Sequence, residues 1–79
     1  MISARQIKAA RALIGFSQLE LAARAGVGIA TLKRLELSSE IRGHAGTLAK
    51  LETALVEEGV VFIASDGALG EGVRLRTCS

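Results

Sequence analysis

Between Ser17 and Gly26 the chain carries a full set of signals for one very short helix, and that shortness constrains the fold more than any other feature. Ser17-Gln18-Leu19-Glu20 is a capping box: the serine hydroxyl accepts from the backbone N–H of Glu20, and the glutamate side chain returns a bond to the serine N–H. Gly26 stands where a residue with positive φ ends a helix without strain. Only eight residues lie between cap and stop, about two turns, which cannot stand alone in water. Such a segment has to be held by its neighbours.

The neighbours use the same punctuation. Ser3-Ala4-Arg5-Gln6 is another capping box, and it predicts a first helix from Ser3 to about Ile14, stopped by Gly15. Ile7, Ala10, Leu13 and Ile14 follow the spacing of one helical face, leaving Arg5, Lys8 and Arg11 elsewhere. After Gly26-Val27-Gly28 a third helical stretch, Ile29 to Leu37, turns Leu32 and Leu35 inward, and Ser38 to Gly46 is a loop rich in serine and glycine. Thr47 is placed to cap a fourth helix with Leu48, Leu51, Ala54 and Leu55 on its apolar face and Glu58-Gly59 as its stop.

The period then changes. Val60 to Ala64 is rich in β-branched residues, Ser65 to Gly72 is rich in glycine, and Val73-Arg74-Leu75-Arg76 alternates apolar with basic. The fold expected is mainly α, a four-helix domain over residues 1–59 followed by a β-hairpin or strand pair over residues 60–79. At 79 residues the chain has room for one core. With Phe16 and Phe62 the only aromatic residues, that core is built from Leu, Ile, Val and Ala.

Several function classes drop out. No apolar run approaches the roughly 18 residues that span a bilayer, and Met1 to Leu13 lacks the core of a signal peptide, so a cytoplasmic protein without membrane contact is expected. The single cysteine, Cys78, excludes a disulfide framework and a cysteine-rich metal site. One Asp and one His complete a set too sparse for paired carboxylates, a metal cluster or an activated nucleophile, so neither an enzyme nor a cofactor is expected. The charge is more telling. Through Lys50 there are eight basic side chains against three acidic ones, a surplus of five, while Leu51 to Gly72 carries only acidic charges. A basic N-terminal half suits a polyanion.

Two short helices joined by a glycine turn, with a small residue where they cross, form the scaffold that presents a helix to DNA. Ala22 is the small residue, Gly26 permits the reversal, and Val27, Leu32 and Leu35 anchor the presented helix. Across Gln6 to Leu55, about two thirds of the chain, the sequence resembles the lambda-repressor-like family, also called Cro/C1 or XRE. The resemblance rests on Ala10-Arg11-Ala12-Leu13-Ile14-Gly15-Phe16-Ser17-Gln18, Glu20-Leu21-Ala22, Ala25-Gly26-Val27 and Ala30-Thr31-Leu32-Lys33-Arg34-Leu35-Glu36. It implies that the helix from Ile29 is the recognition helix, that Gln18 contacts a phosphate, and that Arg11 pairs with Glu36 inside the fold. Charge counting alone assigns Arg11 to DNA.

Gly28, Ile29, Ala30, Lys33 and Arg34 emerge from the first two turns of the presented helix. Arg34 is the strongest base reader, because arginine donates two bonds to guanine O6 and N7; Lys33 serves a base or a phosphate. The family often has polar residues where this chain has Gly28, Ile29 and Ala30. Ile29 and Ala30 either touch thymine methyls or belong to the core, and part of the specificity then falls to DNA shape. Thr31 reaches a phosphate from the flank, as do Arg42, and less strongly His44, from the loop before the fourth helix. Double-stranded DNA is the expected partner.

At the C-terminus, Val60, Val61, Phe62, Ile63, Val73 and Leu75 are more apolar than one helical layer can cover. A homodimer organised around them is expected, with recognition helices about 34 Å apart on an inverted repeat; the alternative is a monomer whose hairpin folds onto its own fourth helix. Arg74 and Arg76 guard an edge strand or flank DNA. The expected function is a transcriptional regulator, most simply a repressor. The alternative is an antitoxin or protein-interaction module that binds a toxin-like partner by strand addition while its helix-turn-helix regulates its own operon.

Overall fold

The computed structural model describes residues 2–37 and 45–76. Four helices, α1 (Ala4–Ile14), α2 (Gln18–Ala25), α3 (Ile29–Leu37) and α4 (Ala45–Glu57), precede two strands, β1 (Val60–Ile63) and β2 (Gly72–Leu75). The local signals act as expected. Ser3 and Ser17 each accept from the backbone three residues on, and Gln6 and Glu20 return the bond. Gly15 and Gly26 sit at φ 74° and 70°, where a β-carbon is strained, and end α1 and α2. The N–H of Val27 then bonds back to the Ala22 carbonyl, so the chain reverses within one residue of the glycine.

The helices bury one face each. Ile7 and Ala10 of α1, Leu21 and Ala22 of α2, Leu32 and Leu35 of α3, and Leu48, Leu51, Ala54 and Leu55 of α4 share a single core with Val60 of β1. Leu13 departs from its expected place and is 44% exposed. It lies two turns beyond Gln6 on the same flank of α1; the hairpin covers that flank at Gln6, and Leu13 is past the cover. The fourth helix starts at Ala45 rather than after a cap at Thr47, which is half-buried within the first turn. Alanine is the best helix former, and a glycine at Gly46 costs only about 1 kcal/mol against it.

The strands pair antiparallel within the one chain, Val60 opposite Leu75 and Phe62 opposite Val73 on the inner face, Val61 opposite Arg74 and Ile63 opposite Gly72 on the outer. Each strand is one residue shorter or shifted by one from its expected span. Between them Asp66 organises the turn, its carboxylate accepting from the N–H groups of Ala68 and Leu69 at 3.0 and 2.7 Å. The hairpin packs on α1 and α4, with Phe62 and Val73 against the core. No helix among the described residues is long and apolar enough to cross a membrane.

Candidate nucleic-acid interface

α3 is amphipathic. Leu32 and Leu35 are fully buried and Ile29 leans on the core beside them, while Ala30, Lys33, Arg34 and Leu37 are exposed. At 100° per residue these four fall on one stripe, so the helix offers solvent a short side chain near its start and two cations in its middle. Lys33 and Arg34 form no ion pair with another described residue. Gly28 is exposed, and its carbonyl accepts the first bond of α3, from Leu32, at 3.1 Å. Thr31 is half-buried on the flank. The sequence left Ile29 open between thymine contact and core; its side chain is in the core's outer layer, whereas Ala30 is outside.

What holds α3 at its angle is a polar knot at its C-terminal end. Arg11 donates from Nε and Nη2 to the two oxygens of Glu36, at 3.0 and 2.8 Å, and from Nη1 to the Phe16 carbonyl at 3.0 Å. The Glu36 side chain is 3% exposed and that of Arg11 18%. The hydrogen bonds to Glu36 raise the Arg11 pKa above its usual value, so the cation is permanent. α1, α3 and the turn before α2 therefore meet at one bidentate pair. The inward placement of Arg11 agrees with the resemblance and removes it from the solvent-facing cations.

Gln18, the first residue of α2, joins the same knot, donating from Nε2 to Glu36 at 3.0 Å. An amide nitrogen carries two hydrogens, and Glu36 uses one of them. The second is directed by the bond the first one makes. Sequence reasoning gave Gln18 a phosphate role and had no signal for this link to Glu36. It also missed Arg24, which lies 5.6 Å over the Phe16 ring and pairs with Glu58 at 2.7 Å. Arg42 and His44 lie outside the described residues.

Two helices joined at a left-handed glycine, the second packed by its inner stripe and showing a basic outer one, define a helix-turn-helix DNA-binding domain. The family comparison agrees on the class of domain. A helix-turn-helix family model of the Cro/C1 or XRE type matches residues 7–55, more than half of the chain, and the protein belongs to that family. It is a DNA-binding transcription regulator of the XRE kind. A comparison with curated proteins gives no match.

Proposed function

We propose that the protein is a sequence-specific repressor that binds an inverted-repeat operator as a homodimer, each copy laying α3 in the major groove. The observation that carries this is the outer stripe of α3: Lys33 and Arg34 extend from the middle of a helix whose other face is locked into the core. In this account Arg34 reads a guanine, Lys33 reads the adjacent base or its phosphate, and Ala30 packs on a thymine methyl. Gly28 lets the backbone approach the groove, and Ile29 contributes the edge of its side chain. Gln18, with one hydrogen fixed by Glu36, turns the other to a phosphate; Thr31, Arg42 and His44 add phosphate contacts that set position without reading sequence. A dimer seated on a promoter represses by occupancy alone, which needs no further surface.

Selection of bound DNA from a random pool tests this. An inverted repeat with a guanine in each half-site is expected, and Arg34→Ala loses about 1 to 3 kcal/mol on the selected site while relaxing choice at that one position. Uniform loss over all sequences would reduce Arg34 to a phosphate contact.

A further inference from the structure

A cleft of about 190 Å³ opens where the start of α1, the middle of α4 and the end of β1 meet, lined by Ile2, Gln6, Glu52, Phe62 and Ala64. No residue of α2 or α3 contributes to it, so it is separate from the basic stripe of α3. Its walls are fixed. Ile2 and Gln6 are each 5% exposed, and Phe62 packs against the same core that holds Ile2. Both amide hydrogens of Gln6 are spent on the Ile63 and Gly72 carbonyls, and its oxygen accepts from the Ser3 N–H, so this side chain has no donor left for a guest.

Glu52 is the other polar side chain of the lining. It is half-buried on α4, in helical phase with the core residues Leu48 and Leu55, and forms no ion pair with another described residue. Arg5, the cation closest in sequence to Ile2 and Gln6, is turned to Glu71 at 3.1 Å. From Leu51 to Gly72 the chain carries no basic residue at all. A carboxylate set against an apolar wall loses part of its hydration, and a cation brought to it from outside offsets that loss. The lining therefore asks for one positive charge that donates hydrogen bonds, carried on an apolar stem.

We propose that this cleft binds a primary alkylamine, its ammonium on the Glu52 carboxylate and its chain against Ile2, Phe62 and Ala64. At the packing density of protein interiors, about 0.74, the volume holds roughly seven or eight non-hydrogen atoms, the size of an amine of about six carbons. An alcohol or a carboxylic acid of the same length leaves Glu52 without a counter-ion, so the charge selects the amine and the apolar wall selects its chain. The guest touches α4 and β1 together and so holds the hairpin onto the helices. A chain that meets DNA through α3 thereby gains a ligand-dependent C-terminal element. Binding here requires no DNA and is independent of the operator reading above.

Titration of the whole chain with n-hexylamine at neutral pH, followed by amide chemical shifts, tests this. Saturable shifts centred on Ile2, Glu52, Phe62 and Ala64 are expected, with 1-hexanol and hexanoate weaker by about tenfold or more. Glu52→Gln keeps the fold, because the carboxylate holds no ion pair there, and is expected to lose about tenfold in amine affinity while its affinity for hexanol stays the same. Equal affinities for amine and alcohol, shifts centred elsewhere, or an amine affinity untouched by Glu52→Gln would each overturn the assignment. Amine at about ten times its dissociation constant is expected to slow exchange of the Val61 and Arg74 amides about tenfold, since opening of the hairpin releases the guest. Unchanged exchange in the saturated protein overturns the bridging of α4 to β1. Nα-acetyl-lysine amide is the last arm: binding as tight as that of hexylamine gives the cleft to a lysine side chain of a partner protein and overturns the free amine.

Discussion

Glu36 gathers three hydrogen bonds on one nearly buried carboxylate, two from Arg11 and one from Gln18. Removing its charge leaves a mostly buried guanidinium without a counter-ion, which costs more than the pair itself contributes. Glu36→Gln is expected to lower stability by about 2 to 3 kcal/mol, allowing for the part of Arg11 that solvent reaches. Thermal unfolding then shifts down by about 10 to 20 °C for a domain of this size. Replacing both partners, Arg11→Met with Glu36→Leu, restores much of the loss, because no charge is left behind. Unchanged melting of Glu36→Gln would show the pair to be ornamental. This knot was legible only through resemblance: composition and spacing place Arg11 among the basic residues of a helix and say nothing of the carboxylate 25 positions away that claims it. Gln18 carried no sequence mark of its bond to Glu36, since side-chain amides find such partners through tertiary geometry. By contrast Lys33 and Arg34 could be placed outside from period alone, because Leu32 and Leu35 fix which face is inside.

Among the elements, the hairpin depends on a residue whose sequence signature announces something else. Gln6 completes the capping box of α1, its Oε1 accepting from the Ser3 N–H at 2.9 Å. Its Nε2 then donates to both the Ile63 and Gly72 carbonyls, at 3.0 and 2.9 Å, so one buried amide clasps the loop end of the strand pair. Glu71 adds a second fastening, accepting from the Ser3 hydroxyl and from Arg5. Three bonds at about 1 kcal/mol each make Gln6→Ala cost about 2 to 3 kcal/mol. The loss is expected to be local: amides of Val61 and Arg74 exchange faster, while those of Leu51 and Leu55 in α4 keep closer to native protection. Uniform acceleration would mean that hairpin and helices open as one unit. Helix limits were readable because serine and glycine act on their immediate neighbours. The errors arose where tertiary cover decides: Leu13 has the right period and no element above it, and Thr47 has the chemistry of a cap but sits inside a helix that begins at Ala45. The intrachain strand pairing could not be read either, since alternation specifies a strand and leaves its partner open.

For the whole molecule, charge works first as a fastening. Arg5 with Glu71, Arg11 with Glu36 and Arg24 with Glu58 each join residues far apart in sequence, two of them linking the basic N-terminal half to the acidic segment after Leu51. The surplus of five visible in the sequence is therefore partly spent within the fold, and the exposed cations without an ion pair to another described residue are concentrated on Lys8, Lys33, Arg34 and Lys50 before the hairpin. Two further carboxylates hold turns open to solvent. The Glu20 pKa is lowered chiefly by its bond from the Ser17 N–H, and that of Asp66 by bonds from the N–H groups of Leu69 and then Ala68. A carboxylate with a lowered folded pKa stabilises the native state fully above its unfolded pKa, about 4.3 for Glu and 3.9 for Asp. It gives that stability up as pH falls through the lower folded value. Thermal stability is therefore expected to show no loss from these groups between neutrality and about pH 5, then to fall below about pH 4. Glu20→Gln and Asp66→Asn should each flatten the acid limb while lowering the neutral plateau, because the amide keeps the shape and loses the charge. Exchange of the Ala68 and Leu69 amides should quicken on the same acid limb in the native protein and be insensitive to acid in Asp66→Asn beyond the intrinsic pH effect. An acid limb unchanged in both variants would assign acid unfolding to other carboxylates, and a native protein that gains stability below pH 4 would contradict the direction of both shifts.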